Sequence, residues 1–248
     1  MRYLDKLRGS WIATTIKMLF GKLGYSIIPK EQIPSENWAG IKNYSIRTIL
    51  DIGALRGELA VSELRPNFPE AVIHCFEPSP LAFAELALVA SGSDNKITAH
   101  NFGLGNETGA LNFHVNLDFL AASSFLEQTD KTVANFPETA KVKDNTVEVR
   151  RLDDVISEIM PPIAEDFFIK IDTQGYDYQV LLGGRETLSR ARACIVEVSM
   201  TDLYKGAPSF HDIYLLMVDA GLRFGGVFDQ RFAKSSELLY LDAIFIRD

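Results

Sequence analysis

Short apolar runs alternate with amphipathic segments along most of the chain. Residues 48–52 have the pattern of a buried strand, and a helical pattern follows that Pro66 is expected to end. A second strand pattern over 71–76 precedes a helical pattern over 79–90, and a third strand pattern covers 96–100. Because strands that alternate with helices form parallel sheets, this order predicts a doubly wound α/β domain.

The second half of the chain continues this pattern after an interruption. Residues 109–116 and 146–152 both show the strand period of two, with no helical pattern between them. The later strand patterns cover 166–172, 193–199, 223–230 and 239–248, and the later helical patterns cover 153–160, 176–184 and 209–222. Asp153 and the pair Ser209/Asp212 are expected to cap two of these helices. The last two strands predict an antiparallel hairpin.

A long insertion, residues 105–165, separates the third predicted core strand from the fourth. Ordinary connections in α/β domains have about 2 to 6 residues. The middle of the insertion, "AASSFLEQTDKTVANFPETAKVKDN", is polar and has no sustained period. Long loops in compact domains are usually functional or disordered, so we predict a substrate lid, with a surface insert of no function as the alternative.

The length fits one large α/β domain, which is assigned to residues 46–248. Apolar residues make up 47% of the 248 positions, which permits a sizeable core. The net charge of −8 disfavours a general nucleic-acid binder. Cys75 and Cys194 both lie in apolar runs, so buried reduced thiols and a cytoplasmic location are expected.

The N-terminal region differs from the rest of the chain in charge. Residues 1–30 carry a net charge of +5, which leaves −13 for the remainder. The sequence contains no run of eighteen apolar residues, so no membrane-spanning helix is predicted. Residues 1–45 are therefore predicted to be a basic amphipathic helical extension. It either packs on the domain or contacts an anionic membrane surface through residues 1–25.

Candidate chemistry begins at the end of the first strand, in "TILDIGALRGELA". Asp51 precedes Gly53, Ala54 and Gly57, and the glycines permit close approach of the backbone. Glu77 ends the second strand, where a carboxylate can accept both hydroxyls of a ribose. The spacing lacks the full G-x-G-x-x-G pattern, and a carboxylate before the loop would repel phosphate. These features favour S-adenosyl-L-methionine over a dinucleotide.

The sequence resembles the FkbM-type S-adenosylmethionine-dependent methyltransferases over residues 47–225. The resemblance depends on several motifs in order: "ILDIGALRG", "HCFEPSP", "NFGLGNETG", "SSF", "RRLDDV", "FIKIDTQGYDYQVLLGG" and "IVEVS". The family usually has Asn where Leu55 stands, and often Glu where Gln174 stands. The second departure removes one candidate base.

The resemblance implies a Rossmann-like class I methyltransferase fold, with a seven-stranded, mostly parallel sheet and one antiparallel strand from the C-terminal hairpin. It also implies methyl transfer to a hydroxyl of a small molecule or glycan acceptor. It places the methionine end of the cofactor near Asp51 and Gly53, the ribose near Glu77, and the adenine near Asn101 and Gly103.

Polar residues at the ends of two later strands mark a candidate active site. Lys170 and Asp172 lie in or beside a buried strand, where charged groups are costly unless they are paired or face a cleft. We predict Asp172 and Glu197 as catalytic residues, with a purely structural role as the alternative for each. The predicted acceptor-binding residues are Ser123, Ser124, Lys170, Gln174 and Tyr176.

Other functions receive less support from the sequence. The four histidines lack the spacing of a zinc site, and no G-x-S-x-G nucleophile motif occurs, so neither a metal site nor a serine hydrolase is predicted. A magnesium ion at Asp172 stays open as an alternative. Two rival functions also stay open: a cofactor-binding scaffold without turnover, and a nicotinamide-dependent oxidoreductase, which the missing glycine spacing and the lack of a Tyr-x-x-x-Lys pair disfavour.

Overall fold

A seven-stranded sheet and a smaller three-stranded sheet organise the residues that this computed structural model describes, namely Met18, Lys22 and 38–248. The strands are β1 (Thr48–Ile52), β2 (Val72–Phe76), β3 (Ile97–His100), β4 (Gly103–Leu104), β5 (Gly109–Asn116), β6 (Val142–Arg150), β7 (Phe167–Ile171), β8 (Ala193–Ser199), β9 (Arg223–Phe232) and β10 (Leu238–Ile246).

The large sheet has the order β3-β2-β1-β7-β8-β10-β9. The first five strands in this order pair in parallel, whereas β10 is antiparallel to both β8 and β9. This arrangement confirms the predicted seven-stranded sheet with an antiparallel C-terminal strand. The direction of winding reverses between β1 and β7, and in such sheets ligands bind beyond the carboxyl ends of the strands at that point.

Short helices connect these strands. They are α1 (Ala39–Lys42), α2 (Arg65–Asn67), α3 (Pro80–Ser91), α4 (Asp130–Asn135), α5 (Leu152–Val155), α6 (Asp177–Gly183), α7 (Arg185–Leu188) and α8 (Phe210–Asp219). A π-helical stretch, Ala60–Leu64, leads into α2, and two 3₁₀ turns cover Leu120–Ala122 and Pro137–Thr139.

The capping predictions have mixed outcomes. The predicted box at α8 is confirmed, since the Ser209 hydroxyl accepts from the Asp212 amide and the Asp212 carboxylate accepts from the Ser209 amide. The prediction that Asp153 caps α5 is wrong. Asp153 lies inside the helix, and its carboxylate accepts from the main-chain amides of Glu186 and Thr187. It therefore joins α5 to α7.

Pro66 does not end its helix, contrary to prediction, because helical structure continues to Asn67. The helix runs without a break from residue 58 to Asn67 and changes from π to α geometry after Leu64. Pro66 therefore lies in the last turn of this helix, where its missing amide hydrogen removes one intrahelical hydrogen bond but the helix continues for one more residue.

The core lies on both faces of the large sheet. All five residues of β1 and all five of β7 are buried, as expected for central parallel strands. One hydrophobic cluster includes Ile52 and Phe167, and the cluster on the opposite face includes Ile49 and Phe168. Burial on both faces explains why these strands are continuous apolar runs in the sequence.

The compact unit starts at Trp38, whereas the sequence placed its boundary at residue 46. Trp38 is 2% exposed, and its ring centroid lies 5.5 Å from that of Phe68 and 5.9 Å from that of Phe168. Aromatic packing therefore holds residues before position 46 in the core. The rest of the predicted N-terminal extension lies outside the described residues, Met18 and Lys22 excepted. No described helix is long and apolar enough to cross a membrane.

The insertion predicted over 105–165 is present between β3 and β7 and contains its own structure. The small sheet has the order β4-β6-β5, and β5 and β6 pair antiparallel over eight positions. This pairing starts β6 at Val142, four residues before the predicted strand. The segment between these two strands, 117–141, carries the 3₁₀ turns and α4, and we name it the roof.

Candidate functional site

A cavity of about 450 Å³ lies at the carboxyl ends of the parallel strands. One wall consists of strand ends and the loops after them, and includes Gly53, Glu77, Asp172 and Glu197. The opposite wall is the roof, which contributes apolar and aromatic side chains; examples are Phe119, Leu120, Ala122, Phe125 and Phe136. The predicted strand-end site and the predicted lid thus enclose one space.

The glycine loop after β1 is shaped by contacts within the protein. Gly53 has φ +82°, and a Cβ atom there would lie 1.9 Å from the main-chain oxygen of Asp172. The absence of a side chain thus allows the ends of β1 and β7 to approach each other. Gly53 still lines the cavity. Leu55, which stands where the family usually has Asn, has φ +50°, a conformation that Asn tolerates better than Leu.

Glu77 is held at the cavity wall by two main-chain amides. Its Oε2 accepts from the Leu55 amide at 2.9 Å, and its Oε1 accepts from the Ser79 amide at 2.7 Å. Burial raises the pKa of this carboxyl from 4.5 to about 7, although both amides oppose the rise. Each carboxylate oxygen can accept a further hydrogen bond. A buried acceptor pair of this kind suits a vicinal diol.

The other predicted cofactor residues lie at different depths. Gly103 lines the cavity, whereas Asp51, Ala54, Gly57 and Asn101 do not. Asn101 donates from Nδ2 to the main-chain oxygen of Glu77 at 2.9 Å, and therefore supports that residue from outside. A Cβ atom at Gly57 would lie 2.9 Å from the Leu86 side chain, so this glycine serves helix packing.

Asp51 is buried within β1, with 2% of its surface exposed. Burial raises the pKa of its carboxyl to about 6, while the nearby Lys170 ammonium opposes the rise. The Cys75 thiol lies 3.9 Å from its Oδ2 atom. Asp51 thus stands behind the cavity wall, and its predicted contact with the cofactor stays a prediction.

On the other side of the cavity, Asp172 and Glu197 share the side chain of Gln174. The Gln174 Nε2 atom donates to Asp172 Oδ1 at 2.8 Å and to Glu197 Oε1 at 3.2 Å. Asp172 Oδ2 also accepts from Lys170 Nζ at 3.2 Å. Gln174 and the two carboxylates that its amide joins all line the cavity. The structure therefore brings together both predicted catalytic residues and one predicted acceptor-binding residue.

Lys170 lies behind this group, with only 5% of its side chain exposed, and does not line the cavity. Burial by itself would lower the pKa of the ammonium, but the surrounding carboxylates outweigh burial and raise it. They are Asp172, Asp242, Glu197 and Asp51. Lys170 thus places a buried positive charge directly beside Asp172, and its predicted contact with the acceptor stays a prediction.

Glu197 is 8% exposed and has a different electrostatic setting from Asp172. Burial raises the pKa of its carboxyl well above the ordinary value. Three carboxyl groups add to the rise and Lys170 opposes it; the three are Asp172, Asp242 and Asp177. Glu197 therefore favours the protonated form, whereas the Asp172 side chain is 36% exposed and pairs with the lysine.

The serine pair joins the roof to the strand ends. Ser123 lines the cavity, and its hydroxyl accepts from the Asn116 amide at 3.0 Å. Ser124 is buried and does not line the cavity, and its hydroxyl donates to the main-chain oxygen of Gln174 at 2.8 Å. Tyr176 also lies outside the lining, with its ring centroid 4.7 Å from that of Phe125.

Several lining residues were missed by sequence reasoning. Tyr204 and Thr173 line the cavity, as do Arg231 and Tyr240 from the C-terminal hairpin. The Thr173 hydroxyl is buried without a protein partner, and therefore fits a ligand hydrogen bond. Thr173 directly follows Asp172, a signal that could have identified it. No local pattern marks the other three, because the fold brings them to the site from distant segments.

Within residues 38–248 and the two described positions before them, no group of three His, Cys, Asp or Glu side chains could hold a metal ion. Lys170 occupies the position between the clustered carboxylates, as shown by its contacts with Asp172 and Asp242 at 3.2 and 3.7 Å. A buried ammonium thus balances the negative charge at this site.

Comparison with known proteins gives consistent matches. A relative, the 2-O-methyltransferase NoeI of Sinorhizobium fredii (strain NBRC 101917 / NGR234), is 31% identical over 163 residues, covering 64% of this chain and 65% of NoeI. The chain thus spans just under two thirds of that relative's length. Methyltransferase FkbM from Methylobacillus flagellatus KT has a crystal structure similar to this one, with a TM-score of 0.49, 16% identity, and coverage of 82% of this chain and 44% of that one.

The magnesium protoporphyrin IX methyltransferase (ChlM) of Synechocystis PCC 6803, crystallised with bound SAM, has a TM-score of 0.46 and 10% identity, covering 99% of this chain and 95% of that one. A family model described as the methyltransferase FkbM domain matches residues 51–224, which include both the glycine loop and the carboxylates Asp172 and Glu197. The resemblance read from the motifs is confirmed, and this chain belongs to the FkbM methyltransferase family.

Proposed function

We propose that the protein is an S-adenosylmethionine-dependent methyltransferase that methylates a hydroxyl group of a small molecule or glycan. The observation that carries the proposal is the division of one cavity into two chemically different halves. The amide-held carboxylate of Glu77 lies in one half, and Asp172 with Glu197 lies in the other. The first half suits a ribose and the second suits a hydroxyl acceptor.

The residues of the first half fit the proposed cofactor. Glu77 presents two hydrogen-bond acceptors to a diol. Gly53 and Gly103, which also line the cavity, would lie beside the bound cofactor. The neighbouring carboxylates favour a cationic ligand over one that carries phosphate. When bound, S-adenosylmethionine supplies an electrophilic methyl group on a cationic sulfur.

Asp172 is the group best placed to receive the acceptor hydroxyl. Of the two candidate carboxylates it is the more exposed, and its Oδ1 and Oδ2 atoms are each held by one donor, which leaves a lone pair on each. It would accept the hydroxyl hydrogen bond, orient the oxygen, and take the proton as the oxygen loses it. Orientation of the reacting groups should supply much of the rate.

The acceptor half is lined mainly by the roof and the C-terminal hairpin. Aromatic side chains there offer flat surfaces that suit a sugar ring or another cyclic acceptor. Arg231, Glu138 and Thr139 supply polar groups to the same lining. The relative NoeI is a 2-O-methyltransferase by name. We propose the same kind of acceptor atom, a hydroxyl oxygen, for this protein.

The test has a binding arm and a transfer arm. Titration calorimetry with S-adenosylmethionine and S-adenosylhomocysteine should show binding to the full chain. Incubation with methyl-labelled cofactor and a panel of mono- and oligosaccharides and hydroxylated small molecules should then give a labelled methyl ether, identified by mass spectrometry. Nicotinamide dinucleotides serve as the control ligands. Binding of a dinucleotide alone, or cofactor binding without transfer to any acceptor, would contradict the proposal.

A further inference from the structure

Tyr204, which sequence reasoning missed, contacts the residue that joins the two candidate catalytic carboxylates. The side chain lies in the loop after β8 and is 4% exposed. Its hydroxyl lies 2.7 Å from Gln174 Oε1 and 3.3 Å from the main-chain oxygen of Ala122. A hydroxyl has one hydrogen to donate, and the shorter distance assigns it to Gln174.

The hydroxyl remains a donor because its ionisation is opposed. Burial raises the pKa of Tyr204 well above its ordinary value, and nearby carboxylates raise it further; they are Glu197, Asp172 and Asp177. The phenol therefore keeps its proton over the working range of an enzyme. Gln128 is its other hydrogen-bonding side chain.

The orientation of the Gln174 amide decides which groups face the carboxylates. With Oε1 at the tyrosine, the two Nε2 hydrogens meet Asp172 and Glu197. In the flipped amide, an oxygen with no hydrogen would face both carboxyl groups, and the Asp172 carboxylate would repel it. One hydrogen bond from Tyr204 thus selects the orientation that holds both carboxylates.

The backbone around Gln174 is fitted to this contact. Gln174 has φ +55° and Gly175 has φ +89°. A Cβ atom at Gly175 would lie 3.0 Å from the Cβ atom of Tyr204, so the glycine makes room for the tyrosine. The Ser124 hydroxyl holds the Gln174 main-chain oxygen from the roof side. Tyr204 therefore contacts the Gln174 side chain, and Ser124 contacts the Gln174 main chain.

We propose that Tyr204 is a positioning residue, whose hydroxyl fixes the Gln174 amide so that its two hydrogens hold Asp172 and Glu197 at the acceptor half of the cavity. This inference deepens the proposed function and rests on it. Tyr204 acts through Gln174, so its removal should lower turnover without changing the cofactor half, where Glu77 is held independently by the Leu55 and Ser79 amides.

A double-mutant cycle separates this role from a merely structural one. Tyr204→Phe should lower kcat roughly tenfold and leave the KM for the cofactor within about twofold, since one hydrogen bond near the reacting groups is lost. Gln174→Met removes both amide donors at similar size and should lower kcat at least as much. In the Gln174→Met background, Tyr204→Phe should then have no further effect on kcat. Additive effects, as expected if Tyr204 only anchors Ala122 of the roof, would overturn the proposal.

A titration of the free protein gives a readout that needs no turnover. With ¹³C-labelled glutamate side chains, the Glu197 carboxyl signal can be assigned by its loss in Glu197→Gln. An N–H donor favours the ionised carboxylate, so loss of the amide orientation should move the Glu197 titration midpoint upward in Tyr204→Phe and in Gln174→Met. Neither variant adds or removes a charged group that faces Glu197; these groups are Lys170, Asp172, Asp177 and Asp242. An unchanged midpoint in Tyr204→Phe would overturn the proposal.

Tyr44→Phe is the matched control. The Tyr44 hydroxyl also makes one hydrogen bond, to the main-chain oxygen of Arg247 at 2.8 Å, and neither residue lines the cavity. This variant should leave kcat and the Glu197 midpoint unchanged. A wild-type protein that transfers no methyl group would contradict the proposed function, whereas the titration would still decide the role of Tyr204.

Discussion

The two halves of the cavity hold their carboxylates by different means. In the cofactor half, Glu77 is fixed by the main-chain amides of Leu55 and Ser79. In the acceptor half, Asp172 and Glu197 depend on the side chains of Lys170 and Gln174. Main-chain amides are supplied by any residue except proline, so the first arrangement tolerates changes of sequence. The second requires particular side chains, and is therefore the half in which substitutions can alter reaction and acceptor.

The largest expected effect is on the acceptor half. Asp172→Asn is nearly isosteric and should keep the fold, but it removes the charge and the proton acceptor. We expect kcat to fall on the order of 10²–10⁴-fold, the scale of a positioned acid or base, with cofactor affinity little changed. Steady-state kinetics with calorimetry would measure both quantities.

Glu197→Gln is the matched variant for this comparison and should be the less damaging of the two. If it abolishes turnover while Asp172→Asn stays near normal, the two roles are reversed. Full turnover in both variants would move the chemistry to another part of the cavity, with the roof as the first place to search.

In the cofactor half, the buried carboxyl of Glu77 should make the free energy of unfolding depend on pH. Burial raises the folded-state pKa of Glu77 from 4.5 to about 7. The stabilisation linked to this group is complete below pH 4.5 and is lost as the pH rises through about 7, by up to roughly 3 kcal/mol. The free energy of unfolding of the cofactor-free wild type should therefore fall relative to that of Glu77→Gln between pH 4.5 and 8. Denaturant titrations at both pH values would measure the gap, and a constant gap contradicts a raised pKa.

Removal of the Glu77 carboxylate should affect binding more than turnover. Glu77→Ala leaves ribose hydroxyls without acceptors and should weaken cofactor binding by roughly 1–3 kcal/mol. Calorimetry on the folded variant would measure this loss, with Glu70→Ala, an exposed glutamate outside the cavity lining, as the control. Unchanged affinity would remove the ribose assignment and, with it, the proposed division of the cavity.

The smallest expected effect concerns the roof, which closes over both halves. The Thr129 amide donates to the Leu203 main-chain oxygen, and the Thr132 hydroxyl contacts the same oxygen, so the roof is hydrogen-bonded to the loop after β8. Amide hydrogen exchange in residues 123–143 should slow about tenfold when cofactor and acceptor bind together. Helix α8 is the internal control. Exchange that is already slow in the free protein would show that the roof is a fixed wall.

Much of the architecture followed from local pattern. The runs that became β1 and β7 are apolar because both faces of a central parallel strand are buried, and that constraint is visible in the sequence. The capping box at Ser209 and Asp212 was equally local. The strand-end positions of Glu77 and Asp172 followed from the same pattern, since the carboxyl ends of parallel strands share one edge.

Other features were decided by tertiary structure. Asp153 fits a helix cap by sequence, but the approach of α7 gives its carboxylate two other amides. Lys170 was predicted from the sequence to bind the acceptor, and only the folded chain shows that it is buried and contacts Asp172. Tyr204 reaches Gln174 across 30 positions. The sequence alone determined the fold class and the strand ends, because periodicity and polarity are local; the partners of each charged group depend on which segments pack together, and only the folded chain settles that.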